Sequence, residues 1–213
     1  MHSDRPQALS NFIERDFDAG TDPLSEFWRD ASITSMTDDA YGTQIAGHAT
    51  DIRSRWTASN LYFLFVCPYR QLHLKPNPLL DQPTGGLWNW DVAEAFIGAP
   101  DGPIDRYKEF EISPQGEWLD LDIDLKQPDK VALTSWKSGW QVAARIDQDR
   151  KIWYGSMRIP YASLEAGDAK SSNLLRINFF RSQGTKPVEM AWQPPRQPSF
   201  HAPEQFGLLK LVR

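Results

Sequence analysis

A single cysteine, Cys67, rules out an intrachain disulfide, so the fold must rest on its core. Its setting, LYFLFVCPY, reads as a buried thiol in a strand. Histidine is scarce too. His2, His48, His73 and His201 are scattered without ligand spacing, which argues against zinc. No C-x-x-C-H occurs for haem attachment. No apolar run approaches the roughly 20 residues of a membrane-spanning helix. The opening residues MHSDRPQ hold no apolar signal segment, so the protein is either cytoplasmic or its signal is absent from this sequence. Positive charge is in deficit: 23 Lys and Arg face 28 Asp and Glu, a net charge of −5. Phosphate backbones demand a basic footprint, so nucleic acid is not the expected partner. Gly85-Gly86 is followed by no helical pattern and is not a phosphate loop. No nucleophile elbow stands out.

What the chain has in plenty is aromatic surface and turn residues. Nine Trp, eleven Phe and six Tyr lie in 213 residues, with 16 Pro and 13 Gly falling between apolar runs. An indole N–H needs a partner when buried, so this many Trp favours at least one ring turned toward a ligand. The segments between turns alternate with period two, which is strand patterning. TDIRSRWTASNLYFLFVCPY reads as a hairpin whose second arm is apolar on both faces and hence central. In WLDLDIDL, Leu119, Leu121, Ile123 and Leu125 share one face, and Asp120, Asp122 and Asp124 the other. GWQVAARID, KIWYGSMRIP, LLRINFFRS and GLLKLVR supply further strands, with PYASL a single turn and DPLSEFWRDA a short helical turn. The expectation is an all-β antiparallel sandwich or jelly roll with very little helix. Residues 1–23 read as a leader or an entry strand, with the division drawn as a leader over 1–17 and a single domain over 18–213.

The chemistry concentrates in GGLWNWDVAEAFIG. Read as extended, Trp88, Trp90, Val92, Glu94 and Phe96 have one parity. In the next strand Phe110 and Ile112 face a core, so Tyr107, Glu109 and Glu111 face away from it. In a hairpin Glu94 neighbours Glu109 or Glu111, and Arg106 begins the second arm. Trp, Tyr, Glu and Arg on one surface suit a sugar. The flat C–H face of a pyranose stacks on indole, and its hydroxyls bond to carboxylates and guanidinium groups. A solvated face with core tryptophans is the plainer reading of the same spacing.

The order LWNWDVAEAFIG, YKEFEISPQGE, IPYASL and FGLLKL, with WTASNLYFLFVC before it, resembles a family 9 carbohydrate-binding module over about residues 17–212. The resemblance implies a β-sandwich that binds a poly- or oligosaccharide, often at a reducing end, between two tryptophans. One ring precedes a Glu by six residues in W-x-x-D-x-x-E, matched by Trp88, Asp91 and Glu94. The second wall falls on Trp192 in VEMAWQPP, with Glu189 and Arg181 as polar help. Arg106, Glu109 and Gln115 are candidates for the remaining contacts. The resemblance also implies no required cofactor, admits structural calcium without assignable ligands, and implies an extracellular or periplasmic monomer whose signal peptide is absent from this sequence. Two other classes compete: a glycoside hydrolase using Glu94 and Glu109, and a haem-binding electron-transfer sandwich with His or Met axial ligands.

Overall fold

The computed structural model describes residues 5–127, 131–132, 136–164 and 173–213, so His2 lies outside the described residues. Fourteen strands follow one another: β1 (Gln7–Phe12), β2 (Ser32–Met36), β3 (Asp38–Asp39), β4 (Thr50–Trp56), β5 (Asn60–Pro68), β6 (Val92–Gly98), β7 (Arg106–Ile112), β8 (Trp118–Asp124), β9 (Val131–Ala132), β10 (Gln141–Asp147), β11 (Ile152–Pro160), β12 (Leu174–Gln183), β13 (Val188–Ala191) and β14 (Gly207–Val212). The helical content described is three short 3-10 turns, Leu87–Asn89, Tyr161–Ser163 and Pro203–Gln205. The segment Asp22–Ala31, expected to hold a helical turn, is a series of turns closed by bonds such as Trp28 N–H to Ser25 O at 3.1 Å.

The strands hydrogen-bond in the order β10-β11-β5-β4-β1-β14-β12-β6-β7-β8-β9. This one path folds back on itself as a sandwich. From one half, Phe63 and Phe65 of β5 point inward, and from the other, Phe179 of β12 meets them edge-on at 5.1 and 5.8 Å. Leu61, Cys67, Trp153 and Met157 join Ala95, Ile97, Phe110 and Ile177 in the same core. Each such edge-to-face pair contributes about 0.5–1.5 kcal/mol beyond the area it buries. Gly155 sits where β11 crosses β7; a Cβ there would come within 3.0 Å of Ile112 Cγ2.

Of the two readings of the N-terminal segment, the entry strand holds and the leader over 1–17 is corrected. Gln7–Phe12 is β1, which joins the halves by pairing in parallel with β14 on one side and with the end of β4 on the other. Ala8 and Ser10 point inward there, and their small side chains allow two neighbours to close around the strand. The antiparallel expectation therefore fails at this seam, and the other named pairings are antiparallel.

Both outer faces of the sandwich are also covered. Beyond β5, Trp28 and Ala31 from the irregular 13–31 segment pack on Tyr62, Leu64 and Tyr154. That is why β5 is apolar on both faces. Beyond β6, β7, β8 and β12, the segment 193–206 returns across the sheet, and Phe206 packs among Val92, Phe96, Tyr107 and Phe180. Leu119, Leu121 and Ile123 face this second cluster, and Asp120, Asp122 and Asp124 alternate with them, half-buried. Arg176 fastens the β6–β7 turn from outside, donating to the carbonyls of Ala99, Pro103, Ile104 and Arg106 at 2.7–3.3 Å.

Candidate functional site

The site begins at a turn. Gly86 has φ +73°, a left-handed conformation that L side chains reach only with strain. From it the chain enters the 3-10 turn Leu87–Asn89, so the extended reading of Trp88 and Trp90 is corrected: the strand starts at Val92. Leu87 is fully buried and anchors the turn, while Trp88 is 46% exposed. The three neighbouring residues divide the work. Trp90 packs on the His73 ring at 4.5 Å between centroids. Asp91 is buried, and its Oδ1 accepts the Gly184 N–H at 2.6 Å while its backbone N–H donates to His73 O at 2.9 Å. Asp91 thus ties the turn to the end of β12. Trp88 remains nearly half exposed.

Below Trp88 lies an unusual strand pair. Glu94 of β6 stands directly opposite Glu111 of β7, and Phe96 opposite Glu109. The alternation that sends Phe110 and Ile112 into the sandwich sends Glu109 and Glu111 to the outer face, beside Glu94. The 193–206 segment and the Trp88 turn cover that face, so all three carboxyls are buried, at 2%, 4% and 0% exposure for Glu94, Glu109 and Glu111. One oxygen of Glu94, one of Glu109 and both of Glu111 receive no donor from the protein among the described residues. Glu109 and Glu111 reach one another only when one of them carries a proton.

Burial without a counter-cation penalises the charged form. Burial holds Glu94 well above the ordinary carboxylate range, and the neighbouring charges of Glu109 and Glu189 add to it. Burial does the same to Glu111, with Glu94 and Glu109 adding their repulsion. Burial raises Glu109 to about 7, against the opposing hydrogen bond from Glu111. Burial thus favours the neutral, protonated form in all three carboxyls.

A cavity of about 270 Å³ opens above this pair of strands. Glu94, Phe96, Glu109 and Leu121 form its floor, and Trp88 one wall. Phe200 and His201, from the 193–206 segment, form the facing wall, and Ser182 and Glu189 complete the rim. Phe200 stacks flat on Phe180, with centroids 4.3 Å apart. The Tyr107 hydroxyl and His201 Nδ1 lie 2.5 Å apart, which holds the ring of His201 in place over Phe96. At about 270 Å³ the cavity lies just below the roughly 300–1,000 Å³ of ordinary ligand pockets, a size for one small ring and not for a bulky ligand. Its ingredients are a half-exposed indole, a second aromatic wall and a floor of carboxyl oxygens.

The residues proposed from the sequence separate into two groups. Trp88, Glu94, Glu109 and Glu189 line this cavity together. The other four, Trp192, Arg181, Arg106 and Gln115, lie elsewhere. Trp192 packs against Phe179 at 5.9 Å and presses its ring so close to Gly207 that a Cβ there would lie 2.5 Å from it. Trp192 therefore belongs to the sandwich core, and Phe200 and His201 occupy the wall expected of it. Arg181 alternates with Phe180 and Ser182, so it points inward. It is fully buried and donates to Thr50 Oγ1 at 2.8 Å, Pro68 O at 2.6 Å and Gln183 Oε1 at 2.5 Å. Arg106 is exposed, forks onto Asp124 Oδ2 at 2.9 and 3.1 Å, and lines a separate small cavity. Gln115 donates to Lys75 O at 2.9 Å, at a loop. Ser182 was legible, since it shares the parity of Phe180. Phe200 and His201 carry no periodic signal, because they sit in a proline-rich loop.

Among the described residues no three Asp, Glu, His or Cys side chains are grouped as metal ligands. His48 bonds Gln183 Oε1 through Nδ1 at 3.2 Å, and His73 stacks on Trp90, so each has a structural occupation. No described helix is long and apolar enough to cross a membrane.

No family model matches the chain. A curated protein of Arthroderma benhamiae, named an extracellular protein, is 25% identical over 140 residues, which are 59% of this chain and 63% of that protein. The chain thus spans less than two thirds of that relative's length. Among solved structures, a candidate carbohydrate-binding protein of Bacteroides uniformis superposes with a TM-score of 0.74 at 14% identity, over 97% of this chain and 99% of that one. A family 9 carbohydrate-binding module of Caldicellulosiruptor kristjanssonii, in complex with cellotriose, superposes at 0.62 and 12% identity over 97% and 94%. The same organism's module in complex with glucose gives 0.59 at 12% identity, over 97% and 95%. At these identities it is the architecture that is shared, and the chain has the fold of the family 9 carbohydrate-binding modules.

Proposed function

We propose that this protein is a non-catalytic, extracellular carbohydrate-binding module whose sugar lies on Trp88 above Glu94 and Glu109. The observation that carries this reading is the cavity itself: a half-exposed indole over buried carboxyls that have oxygens to spare, closed on the far side by Phe200 and His201. The C–H face of a pyranose covers the ring, and its hydroxyls meet carboxyls that both accept and donate. Solved modules of the same fold hold cellotriose and glucose, which supports a saccharide as ligand. The extracellular relative supports the location.

A retaining glycosidase sets its two carboxyls about 5–5.5 Å apart across the scissile bond, and an inverting one about 6.5–9.5 Å. Here Glu94 and Glu109 project from adjacent strands onto one sheet face, as a floor beneath the cavity and not from its opposite sides. Calorimetric titration with glucose and cello-oligosaccharides tests the binding reading, and release of reducing sugar from the same oligosaccharides tests the catalytic one. Saturable binding without turnover is the expected result. Turnover abolished by Glu94→Gln overturns it.

A further inference from the structure

The cavity has an electrostatic signature that the choice of a neutral sugar leaves unused. Glu94, Glu109 and Glu189 all line it, and Glu111 backs them from directly opposite Glu94. No Lys or Arg is among its lining residues. The arginines that could have balanced the site are committed elsewhere: Arg181 to carbonyl and amide oxygens inside the sandwich, Arg106 to Asp124 at the sheet edge. The ion pairs named among the described residues use other carboxylates, and His201 is the imidazole at the cavity wall. Glu94 and Glu109, each more than nine-tenths buried, present an oxygen with no protein donor. Burying carboxyls without partners is costly, and the cost is relieved by whatever brings a cation or strong donor to them. A bare metal ion does not suit the spacing, since the described side chains hold no three-ligand cluster. An ammonium needs less. It has three N–H donors, accepts irregular geometry, and forms charge-assisted bonds stronger than those of a hydroxyl.

We infer that the cavity selects a sugar carrying a free amine, a 2-amino-2-deoxyhexose unit or a deacetylated oligomer of it, with the ammonium seated between Glu94 and Glu109 while the ring lies on Trp88. This inference rests on the carbohydrate reading above and narrows it. N-acetylation removes the charge and adds bulk in a cavity of about 270 Å³, so the acetylated sugar binds worse than the free amine. A uronic acid brings a carboxylate into a cavity whose lining has no Lys or Arg to meet it.

The test is calorimetric titration of the whole chain at pH 7 with glucosamine, glucose, N-acetylglucosamine and glucuronate, and with chitosan and cellulose oligosaccharides. Glucosamine is expected to bind at least tenfold more tightly than glucose, with N-acetylglucosamine weaker than glucosamine and glucuronate weakest. The glucosamine advantage shrinks as salt rises, which the glucose affinity does not follow. Glu109→Gln lowers the glucosamine-to-glucose ratio at least threefold. Glu189→Gln, at the half-buried rim, lowers it less and provides the comparison should Glu109→Gln fail to fold. Equal affinity for glucose and glucosamine, or a preference for the acetylated sugar, overturns the amine inference and leaves the carbohydrate reading standing. A folded protein that binds none of these sugars overturns both.

Discussion

Trp88→Ala is the sharpest probe of the site, because the same ring contributes differently to folding and to binding. Burying an aromatic side chain removes about 150–250 Å² from water. With Trp88 46% exposed, roughly 70–115 Å² of it is left for a ligand. If a sugar covers about half of that open area, at about 25 cal/mol per Å² the contact contributes roughly 1–1.5 kcal/mol. Aromatic stacking adds about 0.5–1.5 kcal/mol. The variant should therefore lose about 1.5–3 kcal/mol of binding, roughly 10- to 150-fold in Kd. The folding cost comes from the covered remainder. A fully buried Trp truncated to Ala costs about 3–5 kcal/mol, and a little over half of that is about 2 kcal/mol here. For a chain of this length each kcal/mol lowers Tm by about 2–4 °C, so the variant melts about 4–8 °C early and is folded at 25 °C. Trp153→Ala, at a ring with no exposure, is the control and should show the full core penalty. The assay pairs calorimetric titration against the sugar that binds the parent with thermal melting of both variants. A change in Kd below threefold in a folded Trp88→Ala protein refutes the stacking argument, as does a Trp88 penalty equal to that of Trp153.

Other consequences concern the glutamates and the turn. Raised folded-state carboxyl pKa values mean that the native state holds more protons than the unfolded chain between about pH 4.5 and 7. Stability from these groups is thus complete below the unfolded value and is lost as pH rises through about 7, so guanidinium melts should show a more stable protein at pH 5 than at pH 7.5; an opposite slope refutes the assignment. Glu111→Met removes the carboxyl with no protein donor on either oxygen and should stabilise the fold at pH 8 by about 1–3 kcal/mol, with little gain at pH 4.5, as read from denaturant midpoints at the two pH values. Gly86→Ala forces a Cβ into a left-handed position, 3.1 Å from Asn89 Nδ2. It should cost about 1–2 kcal/mol and weaken sugar binding by displacing Trp88, whereas Gly85→Ala, with nothing within 4 Å, should do neither; near-UV circular dichroism and titration distinguish them. Phe179→Ala opens the sandwich core between Phe63, Phe65 and Trp192 and should cost about 3–5 kcal/mol in a chemical melt.

The local pattern of the chain determined its strands, its hairpins and much of one wall of the site. Period-two alternation is a property of neighbours, so it reads directly in Leu119, Leu121 and Ile123 against Asp120, Asp122 and Asp124, and in Phe110 and Ile112 against Glu109 and Glu111. The same alternation brought Glu94 opposite Glu111 as soon as β6 and β7 paired. Alternation says which side chains share a face, but not what lies on that face. The exposed acidic surface expected of Glu94 and Glu109 became a buried floor because residues 193–206, a hundred positions later, fold across it. Trp192 and Arg181 went inward for the same reason in reverse: the core of the sandwich, and not their polarity or size, set their side of the sheet. Gln7–Phe12 carries too little apolar character to decide between leader and strand, yet two flanking strands need a partner with small inward residues, and Ala8 and Ser10 supply them. Phe200 and His201 hold the second wall from a proline-rich segment with no period at all, where only contact with Phe180 and Tyr107 gives them a place. Local chemistry set the face of each strand, and the long-range closure of the chain decided which face became the site.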